Sequence, residues 1–173
     1  METDCSIYLI TGLMASGKST VSEILAKKME RSVHIRGDIF RKMIISGREA
    51  MSNTLSEEAA RQLNLRYKIA SLAAKEYYSA GFNVILQDNY YGTALNEMLK
   101  QLSPYIPKIV VLNPSLETIK QREENRNKKG YRGFDAKALY EDFIRETPKI
   151  GYWLDTSELT PEETVKNILE YFK

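Results

Sequence analysis

Gly12-Leu13-Met14-Ala15-Ser16-Gly17-Lys18-Ser19-Thr20 is the stretch on which the reading of this chain turns. Its first eight residues fit G-x-x-x-x-G-K-[ST] without a mismatch, the spacing of a loop whose backbone curls round a phosphate. Such a loop points several main-chain N–H groups inward. Gly12 and Gly17 permit the backbone angles and the close approach this needs, with Ala15 and Ser16 inside the same cradle. A helix opening near Gly17 adds the positive end of its dipole. Lys18 can reach β- and γ-phosphates, the Ser19 hydroxyl can ligate Mg²⁺, and Thr20 can donate to an α-phosphate. Ordinary composition would produce this pattern by chance in under ~1% of chains of this length. It also stands in the required context, with the apolar run Ser6–Thr11 before it and a helical pattern after it. Nucleotide binding is therefore expected. The guanine-selecting N/T-K-x-D string is absent, so ATP is the expected donor.

Working outward, short β-rich runs alternate with longer helical patterns. The spacing predicts strands over Ser6–Thr11, Ser32–Arg36, Phe82–Gln87, Ile106–Leu112 and Gly151–Leu154. Between them it predicts helices from about Gly17 to Met29, over Ile39–Ser46, Ser56–Ala80, Thr93–Leu102, from Asn113-Pro114 to about Asn127, and over Asp135–Glu146. Thr54 and Glu57 have capping-box spacing for the long helix. Asn113-Pro114 reads as an N-cap followed by proline at the first helical position. Thr160-Pro161-Glu162-Glu163 opens a last helix running to Phe172. Strands alternating with helices make an α/β fold with a parallel sheet covered on both faces. In such sheets ligands sit at the carboxyl ends of the strands.

The 173 residues read as one domain, with no linker between two parts. Hydrophobic residues are 43% and charged residues 28%, which excludes a disordered chain, a collagen and a disulfide scaffold. The net charge of +2 is too small for a basic wrap around duplex nucleic acid. Cys5 is the single cysteine, which suits a reducing compartment, and the acidic start Met1-Glu2-Thr3-Asp4 lacks the basic region of a secretory signal. The apolar stretches are strand-sized and none would span a membrane. A cytoplasmic location is expected.

A phosphate loop does not say where the γ-phosphate goes, and three features favour a substrate over water. Asp38 follows the second strand directly. It could accept a proton from an attacking hydroxyl or hold that hydroxyl in line, with the N-cap of the following helix as its plain structural role. The third strand ends Gln87-Asp88-Asn89, where Asp88 sits as a Mg²⁺ or substrate carboxylate would, and Asn89 replaces the water-activating Glu of many hydrolytic ATPases. Lys120–Arg132 carries six cations against Glu123 and Glu124, with Arg122 and Arg126 four apart on one helical face. A cationic lid over about 122–134 could neutralise charge developing during phosphoryl transfer.

GLMASGKST at 12–20, RGD at 36–38, LQDNYYG at 86–92, Arg122-x-x-x-Arg126 and DTS at 155–157 together make the chain resemble a P-loop kinase of the nucleoside-monophosphate-kinase-like superfamily. More narrowly it is similar to the chloramphenicol-phosphotransferase-like group. The resemblance implies a three-layer P-loop NTPase fold with a five-stranded sheet in the order 2-3-1-4-5. It implies Asp38 as the base towards the acceptor hydroxyl. It also implies Arg122 packed on the adenine, Arg126 on the phosphates, and the loop containing Thr156 beside the adenine. Asn89-Tyr90-Tyr91 departs from the more apolar stretch of the chloramphenicol enzyme, so that substrate is not carried across.

The acceptor pocket is expected between Asp38, the helix after it, the long helix and Asn89–Tyr91. Arg41 and Arg48 could contact an anionic or polyhydroxyl acceptor, and Tyr90 and Tyr91 could stack on a flat one. The expected activity is transfer of phosphate from Mg-ATP to a hydroxyl of a small metabolite or antibiotic, by a monomer or homodimer. An RNA-end kinase and a nucleotide-dependent regulatory ATPase are the alternatives. The first would want a basic track, and outside the lid the chain is slightly acidic.

Overall fold

The computed structural model describes residues 5–52, 54–125 and 135–173. Five parallel strands form one sheet: β1 (Ile7–Gly12), β2 (Ser32–Arg36), β3 (Asn83–Gln87), β4 (Lys108–Leu112) and β5 (Tyr152–Leu154). Their order is β2-β3-β1-β4-β5, the order implied above. The helices are α1 (Lys18–Lys27), α2 (Gly37–Lys42), α3 (Glu57–Ser79), α4 (Thr93–Leu102), α5 (Leu116–Glu124), α6 (Ala136–Glu146) and α7 (Pro161–Tyr171).

The pleat sends alternate residues of the central strands to opposite faces. Ile7 and Leu9 of β1, with Val84 and Leu86 of β3, pack on Tyr67, Ala70 and Ala74 of α3 and on Leu95, Met98 and Leu102 of α4. Tyr8, Ile10 and Ile85 pack the other way, against Val21 and Leu25 of α1 and Val165 and Ile168 of α7. Both faces are thus covered, which is why the middle strands read as unbroken apolar runs. This is the three-layer P-loop NTPase architecture.

Three predicted helix starts are corrected. Ser56, not Thr54, caps α3 through its hydroxyl, which accepts from Ala59 N. Ser115, not Asn113, caps α5 and accepts from Thr118 N. The Asn113 N–H still belongs to the sheet, donating to Leu154 O at 2.9 Å, and the helix opens only after Ser115. Helix α2 starts at Gly37 with Arg36 as its N-cap, so Asp38 lies inside the first turn and is not the cap. The capping box at Thr160 and Glu163 is formed as expected.

Register aligns the site. Arg36 pairs with Gln87, and Gly12 pairs with Leu112. The residues that follow β2 and β3, Gly37-Asp38 and Asp88, therefore leave the sheet side by side at its carboxyl edge.

Candidate functional site

The loop between β1 and α1 has the strained backbone its sequence demands. Gly12 has φ +145° and Gly17 has φ +95°, and Ala15 also lies at positive φ, +64°. A Cβ on Gly12 would stand 2.4 Å from the Leu112 carbonyl oxygen and 2.8 Å from Ser16 Oγ, so only glycine fits. Gly17 caps α1 with no side-chain hydrogen bond. Lys18 is nearly buried, and its ammonium donates to the carbonyls of Gly12 at 2.8 Å and Leu13 at 2.7 Å. The hydroxyl of Ser16 is buried without a hydrogen-bond partner. An uncapped helix N-terminus beside a buried, unpartnered hydroxyl and a lysine is a donor-rich hollow suited to a phosphate oxyanion. Ser19 and Thr20 are exposed on the wall of the adjoining cavity.

At the ends of β2 and β3 the packing is tight. A Cβ on Gly37 would fall 2.0 Å from Asp88 Oδ2, which explains glycine between Arg36 and Asp38. Asp88 is itself clamped. Arg66 Nε, from α3, donates to Oδ2 at 2.6 Å, a second Arg66 nitrogen donates to Oδ1, and Asn89 N donates to Oδ1 at 2.8 Å. Asp38 accepts from Lys42 Nζ at 2.7 Å, and Arg36 Nε stands 3.5 Å from its other oxygen.

One cavity of about 1140 Å³ joins the two regions. Lys18, Ser19, Thr20 and Arg122 line one part of it, and Asp38, Arg41, Arg66, Tyr67 and Asp88 line another, with Tyr91. Burial, reinforced by the Asp88 charge, pushes the phenols of Tyr67 and Tyr91 up, so both stay neutral donors. Arg122 spans two loops, donating to Thr156 O at 2.7 Å and Ser16 O at 3.3 Å. Burial lowers its pKa, and Asp155 opposes the shift.

Several predicted site residues lie elsewhere. Tyr90 is fully buried in the core, 5.0 Å from the Tyr67 ring, because Thr11 pins its backbone at both ends: Thr11 Oγ1 donates to Tyr90 O, and Tyr90 N donates to Thr11 Oγ1. It does not face the cavity. Arg48 is exposed and is not among the cavity-lining residues. Thr156 is buried and offers Arg122 its carbonyl rather than a wall to the cavity. Gly12 and Ser16 lie behind the lining. Arg126 and most of the proposed lid fall outside the described residues. Arg66 was missed: it sits on a helix whose other residues read as packing, and nothing local marks it as the partner of a carboxylate 22 positions away.

A helix long and apolar enough to cross a membrane is absent among the described residues. Solved structures of the same fold include a sugar kinase from a Janibacter species, with 16% identity over 97% of this chain and 94% of that one, at a TM-score of 0.70. The tunicamycin resistance protein of Deinococcus radiodurans matches at 15% identity over 97% of this chain and 95% of that one, also at 0.70. Shikimate kinase from Aquifex aeolicus matches at 20% identity over 96% of this chain and 95% of that one, at 0.64. These likenesses are of fold. The AAA_33 family model, described as an AAA domain, matches residues 7–141. With its glycine-framed phosphate loop and 2-3-1-4-5 sheet, the chain belongs to that family of P-loop domains.

Proposed function

We propose that this single-domain chain is a kinase that moves the γ-phosphate of ATP, bound with Mg²⁺, to a hydroxyl of a small molecule. The observation that carries the reading is the shared cavity: the phosphate loop and Asp38 open into one space large enough for a nucleotide and a small acceptor. Solved proteins of this fold named as sugar, shikimate and gluconate kinases support it.

The main-chain amides from Gly12 to Ser19, with Lys18 and Thr20, would hold the phosphates. Among the described residues no group of three or more acidic, histidine or cysteine side chains could hold a metal. Ser19 would be the protein ligand of the ion, with Asp88 lining the same cavity. The chemistry of the ion would be to offset charge on the β- and γ-oxygens. Arg122 would border the adenine with the Thr156 loop, and Arg126, in a lid over about 122–134, would meet the phosphates.

Asp38 is assigned the acceptor. Its carboxylate would orient the hydroxyl and take its proton as oxygen bonds to the γ-phosphorus and the bridging bond to ADP breaks. Lys42 and Arg36 hold that carboxylate in place. Tyr91 and Arg41 would line the acceptor pocket. A monomer or homodimer working in the cytoplasm on a metabolite or antibiotic completes the reading. The test is γ-labelled ATP with a panel of hydroxyl compounds. Label recovered in an organic product supports transfer, and label recovered only as free phosphate refutes it.

A further inference from the structure

The cavity holds more positive charge than its own carboxylates neutralise. Six cations line it, Lys18, Arg36, Arg41, Lys42, Arg66 and Arg122, against four carboxylates, Asp38, Asp88, Asp135 and Asp142. The carboxylates are spoken for: Asp38 pairs with Lys42 and Arg36, Asp88 with Arg66 and Asp142 with Arg145, while Asp135 caps α6. No carboxylate among the described residues pairs with Arg41, and its buried Nε has no hydrogen-bond partner.

Arg41 is held in place while that nitrogen stays unused. One corner of its guanidinium donates to Glu49 O at 2.7 Å. Glu49 N–H donates to Gln62 Oε1 at 3.0 Å, and Gln62 Nε2 donates to Gly47 O at 2.8 Å, so α3 anchors the segment that anchors Arg41. On α2 Arg41 follows Asp38 by three residues, which puts both on neighbouring parts of one helix face. Burial lowers the pKa of Arg41, and repulsion from Arg48 and Arg66 adds to the shift. A guanidinium on the cavity wall with no carboxylate beside it is compensated by an arriving anion, where a neutral polyol leaves the charge uncompensated.

We propose that Arg41 selects an acceptor that carries an anionic group, a carboxylate or a phosphate ester, besides its reacting hydroxyl. This rests on the phosphotransferase reading of the cavity. Asp38 takes the hydroxyl end, and the Arg41 guanidinium, on the wall of the same cavity, takes the anionic end. The Arg66–Asp88 pair closes the wall beside it without competing for the anion.

Two measurements test this and separate it from the reading beneath it. In the first, labelled ATP is offered matched sets of acceptors: neutral polyols, the corresponding hydroxy acids and the corresponding phosphate esters. The charged members should exceed their neutral counterparts in kcat/KM by on the order of 10- to 100-fold, the range expected of a hydrogen bond to a charged group. The better of the acid and ester arms identifies the anion. Arg41→Gln should lower the charged members far more than the neutral ones. Equal use of neutral members, or an equal loss across all members, overturns the proposal and leaves Arg41 only its hold on Glu49. If no member is labelled, the phosphotransferase reading fails by itself. The second measurement then judges the anion site. In a Lys18→Ala background, which blunts the phosphate loop, the charged compounds should raise Tm and the neutral ones should not, and adding Arg41→Gln should erase the rise. No rise with any charged compound overturns the proposal. Should Arg41→Gln not fold, Arg41→Lys keeps the charge without the fork and should retain a weakened preference for the charged members.

Discussion

Arg66 closes its guanidinium over both carboxylate oxygens of Asp88, and the two side chains are only 10% and 4% exposed. One comes from the middle of α3 and the other from the end of β3, so the pair ties the wall of the cavity to the edge of the sheet. Removing one partner would leave a buried charge alone, which typically costs about 3–5 kcal/mol. We expect Arg66→Gln and Asp88→Asn each to destabilise by an amount in that range in urea unfolding. The double variant should lose clearly less than the two single losses added together. A simple sum would show that the pair is not an energetic unit.

Gly37 tests the same corner from below. Its missing Cβ is the space into which the Asp88 carboxylate fits. Gly37→Ala should cost about 1–3 kcal/mol by overpacking. It should also displace Asp38, its neighbour, so phosphotransfer should fall more steeply than Tm does. Unchanged turnover at an unchanged melting temperature would refute the contact.

Lys18 and Asp38 separate binding from chemistry. Lys18→Ala should cut transfer by at least about 10²-fold, the usual result of deleting a donor aimed at developing charge, with the far-UV spectrum intact. Asp38→Asn should lower kcat far more than it changes ATP affinity. Its stability cost should stay near or below about 1 kcal/mol, because the pairs it makes with Lys42 and Arg36 are partly exposed. If Asp38→Asn altered Tm alone, the residue would be a helix-terminus device and nothing more.

His34 sets an acid limit on stability. Burial pushes its pKa below the ordinary value and Arg36 adds to this, against the Gln87 hydrogen bond and the charges of Glu23 and Asp38. A lowered folded pKa means the unfolded chain binds more protons in that window, so stability rises with pH there. The contribution is fully present above the unfolded value of about 6.5 and is lost as pH falls through the folded one. Urea midpoints measured from pH 7.5 down to 5 should show that fall, and His34→Gln should flatten it.

Much of this was legible in the chain. Gly12, Gly17 and Lys18 declare their loop because backbone angles and a phosphate leave few residue choices at fixed spacing. The strands were legible because a sheet buried on both faces needs unbroken apolar runs. The helix starts at Asn113 and Thr54 misled because a cap is decided by which side chain reaches the first-turn amides, and Ser115 and Ser56 stood closer. Tyr90 misled for a tertiary reason. Beside Tyr91 and after Asp88 it looks like pocket, but the Thr11 hydroxyl bonds its backbone in a way that turns the ring into the core. Arg66 was invisible because the partner that gives it meaning, Asp88, arrives from the end of a strand outside its helix.

The bridge from Arg122 to Ser16 and Thr156 reaches across the molecule. The edge strand β5 has three residues, too few to hold firm alone, and the segment after it leads into α7. One arginine works there as a tie-rod between that weakest margin and the most rigidly built turn of the fold. Slackening of the last strand or of the segment after it would therefore reach the phosphate cradle through this side chain as well as through the packing of α7 on α1.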